Sequence, residues 1–104
     1  MAQTQMIKIN PIPYPTPDQT AEFVPDNLNA ASGDIVFWQN NDENSAHQPM
    51  PVNGAADDWT DLIPAKLPDQ PAPTSLRNPT FADAGTYNYV CALHNDEQGV
   101  ITVA

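Results

Sequence analysis

A chain of 104 residues with 40% hydrophobic content can bury one modest core, and its single cysteine excludes an internal disulfide. Three Lys+Arg against 13 Asp+Glu give a formal net charge of -10. Such a balance excludes nucleic acid and anionic membrane as partners, because both are bound by displacing counterions with positive charge, and it favours a partner with a basic surface met by electrostatic steering.

In chain order, Met6-Ile7-Lys8-Ile9 alternates in the manner of a strand and predicts an edge strand. Prolines at 11, 13, 15 and 17 follow. Each removes a backbone donor and fixes φ, which forbids helix and predicts an extended, polyproline-like arm on the surface. Ala21 to Ala31 carries a broken strand signal, with Phe23-Val24, a turn at Pro25-Asp26-Asn27, and Leu28. Ser32-Gly33-Asp34 is a turn that feeds Ile35-Val36-Phe37-Trp38, a β-branched and aromatic run that predicts a buried strand. Asn40 to Ser45 is then a polar loop, and His47 follows it.

The stretch from Gln48 to Pro79 holds seven prolines and no clear period. One or two helical turns are expected over Asp57–Ile63, stopped by Pro64, with Trp59 and Leu62 or Ile63 anchoring the segment to the core. Irregular connections of this length are uncommon in compact domains unless they are functional or wrap the fold. Phe81 to Thr86 reads as a turn into Tyr87-Asn88-Tyr89-Val90-Cys91, where the two-residue period puts Tyr87, Tyr89 and Cys91 on one face. A break at Ala92 to Gln98 precedes Gly99 and the strand Val100-Ile101-Thr102-Val103. Short strands between turns, with almost no helical period, predict an all-β fold, an antiparallel sandwich or barrel with a long irregular Pro-rich connection. Residues 1–104 are read as a single domain. No apolar run reaches the ~18 residues that suggest a membrane span, so no membrane insertion is expected. No signal peptide is read either, because Lys8 is the only early basic residue and no apolar region follows it.

One Cys and two His make the only soft donor set, and all three fall at strand ends or in adjoining loops. Cys91-x-x-His94 lets one tight turn present both side chains to the same ion, and His47 sits at the end of another strand–loop element. A thiolate with two imidazoles suits copper: the thiolate favours a soft ion, and imidazole binds either oxidation state. Hydrolytic chemistry is not expected, since no Gly-x-Ser-x-Gly element occurs.

Gly33-Asp34-Ile35-Val36-Phe37-Trp38-Gln39-Asn40 resembles the Gly-Asp-x-Val-x-Trp-x-Asn element of the cupredoxins, the blue-copper family. Gly85-Thr86-Tyr87-Asn88-Tyr89-Val90-Cys91-Ala92-Leu93-His94 is similar to that family's Gly-Thr-Tyr-x-Tyr-x-Cys-x-x-His element, and Gly99 to Val103 to its last strand. The resemblance is nearest to the amicyanin, pseudoazurin and plastocyanin types, covers roughly residues 23–104, and is poor from 48 to 79. It implies a Greek-key β-sandwich, a monomeric one-electron carrier rather than an enzyme, a periplasmic or extracellular location, one Cu(I)/Cu(II) ion, and His47, Cys91 and His94 as equatorial ligands. His94 is expected at the exposed end of the site, with Pro49, Met50 and Leu93 as the apolar patch that meets the redox partner.

Three departures from the family pattern stand out. The family's axial methionine would fall at Glu97, and no Met occurs after Met50. The axial candidates are therefore Glu97, Gln98 or no protein ligand, with a solvated acidic residue as the plain reading of Glu97. Leu93 replaces the usual proline before the second histidine, and Gln48 replaces an Asn that ties the ligand loops. Three other readings compete: a copper enzyme or sensor with an open or red-copper-type site, a sandwich without copper that acts as a binding module, and an immunoglobulin-like adhesion domain.

Overall fold

The computed structural model describes residues 3–104 and folds them into two four-stranded sheets packed face to face. One sheet contains β1 (Thr4–Thr16), β2 (Gln19–Val24), β4 (Asp34–Asn40) and β6 (Thr80–Phe81), in the order β2-β1-β4-β6. The other contains β3 (Asn27–Ala30), β5 (Pro49–Pro51), β7 (Gly85–Cys91) and β8 (Gln98–Val103), in the order β3-β8-β7-β5. The β-sandwich expected from the sequence is present, and no helix occurs among the described residues. None is therefore long and apolar enough to cross a membrane.

Two expectations about pairing are corrected. The sheets are mixed rather than antiparallel, because β1 runs parallel to β4 and β3 parallel to β8. Parallel neighbours need a crossover, and here the chain supplies it by changing sheets at Pro25 and again between β3 and β4. These parallel pairs also separate the fold from the immunoglobulin type, whose two sheets are antiparallel. In addition, β1 is interior, flanked by β2 and β4, and it extends through the proline run to Thr16. The expected edge strand and surface arm are one long strand. Ile9 O accepts from Asn41 N, so odd-numbered residues there turn their backbone groups toward β4. Pro11 lies two residues past the last β4 partner, Ile9, where its missing N–H removes no ladder bond.

Alternation along β4 buries Asp34, Val36, Trp38 and Asn40 and leaves Ile35 39% exposed, so the strand is buried on one face rather than two. Val36 and Trp38 meet Ile7, Ile9, Ala21 and Phe23 from their own sheet and Tyr89, Cys91, Ile101 and Val103 from the other. Asp34 closes the preceding turn by accepting bonds from Ala31 N, Gln3 N and Gln5 Nε2, which hold its carboxyl below the usual carboxylate range.

The long connection wraps the exposed edge of β4. Asn40 N donates to Pro73 O, Ser75 N to Trp38 O, and Trp38 N to Ser75 Oγ. Farther back, His47 and Ile63 exchange two backbone bonds of 3.0 and 2.9 Å. Residues Asp57–Ile63 run from a turn and bend into irregular chain that ends in the bridge at Ile63, not the expected helical turns, because Trp59 and Ile63 are both drawn into the core. Trp59 stacks on Trp38 with ring centroids 6.0 Å apart, Ile63 is fully buried, and Leu62 stays 51% exposed. At the other end of the sandwich Tyr87 Oη donates to Asp83 O at 2.7 Å and fastens the turn before β7.

Gly99, in β8, lies opposite Tyr89 in β7. A Cβ there would come 2.7 Å from the Tyr89 Cε1 atom and closer still to Cζ and Oη. Tyr89 is fully buried against Phe23, Trp38 and Trp59, so the ring has nowhere to yield. Gly99→Ala is expected to destabilise the fold by about 3 kcal/mol, the upper range for overpacking a core, as a fall in the urea unfolding midpoint at unchanged m-value.

Candidate metal centre

Loops from both sheets converge at the end of the sandwich where β4 and β7 finish. The turn from Cys91 to Glu97 carries three of the candidate residues. His94 N donates to Cys91 O and Glu97 N to His94 O, two successive i→i+3 bonds at 3.4 and 3.1 Å. In that geometry side chains three apart eclipse, so Cys91, His94 and Glu97 project to one side. Cys91 N donates to Glu97 O at 2.9 Å and closes the turn at its base.

His47 reaches the same point from the β4 side. Asn40 Nδ2 donates to Ser45 O and Pro64 O, both at 3.0 Å, and Asn40 Oδ1 accepts from Asp42 N. One buried amide thus shapes the whole loop from 41 to 46. Gln48 joins the two halves through its backbone: Gln48 N points at Cys91 Sγ at 3.5 Å and Gln48 O accepts from Ala92 N. Its side chain turns away to Thr60 O, so the loop tie expected of an Asn at this place is made by main chain.

His47 Nδ1, Cys91 Sγ, His94 Nδ1 and a Glu97 carboxylate oxygen converge, and the four donor atoms all lie within 4.8 Å of one another. Glu97 Oε1 is 2.8 Å from His47 Nδ1 and 3.1 Å from His94 Nδ1, while Cys91 Sγ is 3.7 and 3.6 Å from the same two nitrogens. All four residues are buried. Spacings of 3 to 4 Å among donors that each bind metal at about 2.0–2.3 Å are those of one first-row ion held by all four. The residues present therefore fit a copper ion, and sulfur with nitrogen matches copper better than it matches a hard cation.

Glu97 is not the solvated acidic residue of the plain reading. It is 2% exposed, while its neighbour Asp96 is exposed. Its second oxygen, Oε2, accepts from Thr20 N at 2.7 Å and Ala21 N at 2.9 Å. Burial by itself would raise its pKa, but the bond to His47, the charge on that ring and the two backbone N–H groups hold it below its ordinary value. Gln98 faces solvent and donates to Asn95 O, outside the cluster. His94 is also more enclosed than expected: it is 7% exposed, with Nε2 3.1 Å from Ser45 Oγ. Leu93, in place of the family proline, projects outward at 51% exposure.

Two contributors escaped the sequence reading. Asp42, fully buried, places Oδ2 2.9 Å from His47 Nε2. Thr20 Oγ1 donates to that same oxygen at 2.9 Å. Burial opposes charge on His47, yet its bonds to Cys91, Glu97 and Asp42, with the charge of Glu97, raise its pKa from 6.5 to about 10. Nothing in the spacing Asp42-x4-His47 singles out the aspartate, and Thr20 comes from a hairpin far away in the chain.

No protein-family model matches this chain, and no curated protein matches it. Solved structures do. A purple cupredoxin from Nitrosopumilus maritimus is 24% identical at a TM-score of 0.68, the match covering 96% of this chain and 99% of that one. Amicyanin from Paracoccus versutus is 18% identical at a TM-score of 0.66, over 97% of this chain and 81% of the other. An amicyanin variant in its reduced state is 21% identical at 0.65, over 97% and 82%. Identities this low carry the architecture, and the architecture they carry is the cupredoxin β-sandwich.

Proposed function

We propose that this protein is a mononuclear copper protein that carries single electrons, with His47, Cys91, His94 and Glu97 as its ligands. The observation behind this reading is the position of Glu97 Oε1, 2.8 and 3.1 Å from two imidazole nitrogens that also flank the Cys91 sulfur. Copper, when bound, would supply reversible one-electron chemistry. The chain's residues do the rest. Thr20 and Ala21 N–H groups fix one Glu97 oxygen so that the other faces the two rings. Gln48 N supports the thiolate, and Ser45 and Asp42 orient the two imidazoles through their far nitrogens. Burial of all four donors keeps water out and favours outer-sphere electron transfer over catalysis at an open ligand position.

The 13 acidic residues favour a redox partner with a basic surface. Leu93, exposed beside His94, with half-buried Met50 and the buried Pro49 on β5, which pairs with the end of β7, is the proposed contact patch. A monomer in the periplasm or outside the cell belongs to the same proposal and rests on the family resemblance. The test is the visible and electron paramagnetic resonance spectra of the copper-loaded protein, with and without azide. An intense thiolate-to-copper band that azide leaves unchanged is expected. No such band would remove the copper reading, and a band displaced by azide would convert the carrier into an enzyme or sensor.

A further inference from the structure

Three acidic side chains meet at this centre with no Lys or Arg among them, and the His47 ring that lies between two of them is neutral once it binds a metal through Nδ1. The Cys91 sulfur and the Glu97 carboxyl group face the ligand position, and the Asp42 carboxyl group lies behind the His47 ring, 2.9 Å from Nε2. Among the described residues Lys66 reaches Glu43, and Arg77 bonds to backbone carbonyls of Asp57 and Thr60. Neither of these cations bonds to the three, and Lys8 is exposed on β1. Thr20 Oγ1 and the backbone N–H groups of Thr20, Ala21 and Asn44 supply hydrogen bonds to Glu97 and Asp42 but no charge.

With a divalent ion, Cys91 and Glu97 bring the ligand set to neutrality, and Asp42 leaves one net negative charge. With a monovalent ion the net charge is two. In a fully buried site like charge of that order is poorly screened, so each added negative group favours the divalent state. The His47 ring transmits the effect directly. Nε2–H donating to a carboxylate fixes the tautomer that leaves Nδ1 free to bind, and it makes Nδ1 a stronger donor. A neutral acceptor at the same place would fix the tautomer equally well but would not discriminate between ion charges.

We infer that Asp42 is a charged positioning residue of the metal centre, and that through His47 it makes the site selective for a divalent ion over Cu(I). The inference rests on the proposed metal-binding reading. It goes beyond it in assigning the oxidation-state preference to a residue outside the ligand set.

The experiment compares metal-free wild type with Asp42→Asn and Asp42→Ala, titrated with Zn(II) and with Cu(I) against competing chelators. Asn keeps an acceptor for His47 and removes the charge, whereas Ala removes both. Asp42→Asn is expected to weaken Zn(II) binding about 10- to 100-fold, the range for such outer partners, and Cu(I) binding at least tenfold less than that. The copper couple of Asp42→Asn should rise accordingly, by about 59 mV for each tenfold difference. Equal losses for the two ions, or an Asn variant that matches wild type, would reduce Asp42 to a scaffold and overturn the inference. Zinc separates this result from the copper reading, because Zn(II) affinity reports on Asp42 even if no thiolate-to-copper band forms. Should Asp42→Asn fail to fold, the His47 Nε2–H proton of Zn(II)-loaded wild type gives the answer. A downfield, slowly exchanging resonance that splits with 15N-labelled histidine supports the Asp42 bond, and a rapidly exchanging one rejects it.

Discussion

Copper-loaded Cys91→Ser is expected to lose the intense visible absorption entirely while the fold survives. Sulfur is the only soft anionic donor at the centre, lying 3.7 and 3.6 Å from the two imidazole nitrogens. A serine hydroxyl is close to it in size but does not ionise at neutral pH and has no low-lying charge-transfer transition to copper. Cys91 is a free thiol, so no disulfide is lost. Its N–H donates to Glu97 O and its carbonyl accepts from His94 N, main-chain bonds that Ser retains. The circular dichroism spectrum should therefore match wild type, and Cu(II) should remain on His47, His94 and Glu97 as a weakly coloured site. Cu(I) should suffer the larger loss, roughly 100-fold or more in affinity, because the soft ion depends most on thiolate. A variant that keeps the visible band would show that Cys91 is not a ligand and would sink the assignment at its root.

Much of this centre could be read from the sequence because its main parts are local. Cys91, His94 and Glu97 are three residues apart on one turn, and the β7 alternation that buries Tyr89 and Cys91 together is written in Tyr-x-Tyr-x-Cys. Trp38 and Asn40 share a face with Val36 by the same two-residue period. What escaped is carried by contacts distant in sequence. Prolines 11 to 17 hid the far half of β1, since their effect depends on which edge each residue turns toward, and that is decided by where β4 ends. The same distance hid Thr20: its N–H meets Glu97 across 77 positions, through a hairpin whose register no local pattern announces. Asp42 is one acidic residue in a polar loop, indistinguishable from Glu43 beside it until Asn40 folds the loop and buries one while exposing the other. The Asp57–Ile63 segment shows a different limit. Helical spacing in that segment is overridden by the tertiary contact of Trp59 with Trp38 and by the His47–Ile63 bridge.

Glu97→Met, which places a thioether where the carboxylate stands, is expected to raise the reduction potential strongly and to weaken the fold at the same time. The electrostatic part follows from removing one buried negative charge that the divalent ion feels twice as strongly as the monovalent ion. At a separation of about 3 Å and an effective dielectric constant of about 20, that difference is about 5 kcal/mol. For a one-electron couple at about 59 mV per tenfold, it corresponds to roughly 200 mV. The structural part follows from Oε2. Methionine leaves Thr20 N and Ala21 N without the acceptor they have at 2.7 and 2.9 Å, in a place that is mostly closed to water. Each stranded donor costs about 1–3 kcal/mol, so the metal-free variant should lose roughly 2–6 kcal/mol in urea unfolding. Glu97→Gln separates the two effects. Its amide oxygen can keep the Thr20 and Ala21 bonds, so stability should fall less, while the lost charge should still raise the potential. If Glu97 were merely an acidic residue near the site, Glu97→Met and Glu97→Gln would leave the copper spectrum and potential unchanged. A potential that rises in both variants, with the stability loss confined mainly to Met, is the pattern that one carboxylate produces when one oxygen faces the ion and the other holds the β1–β2 hairpin in place.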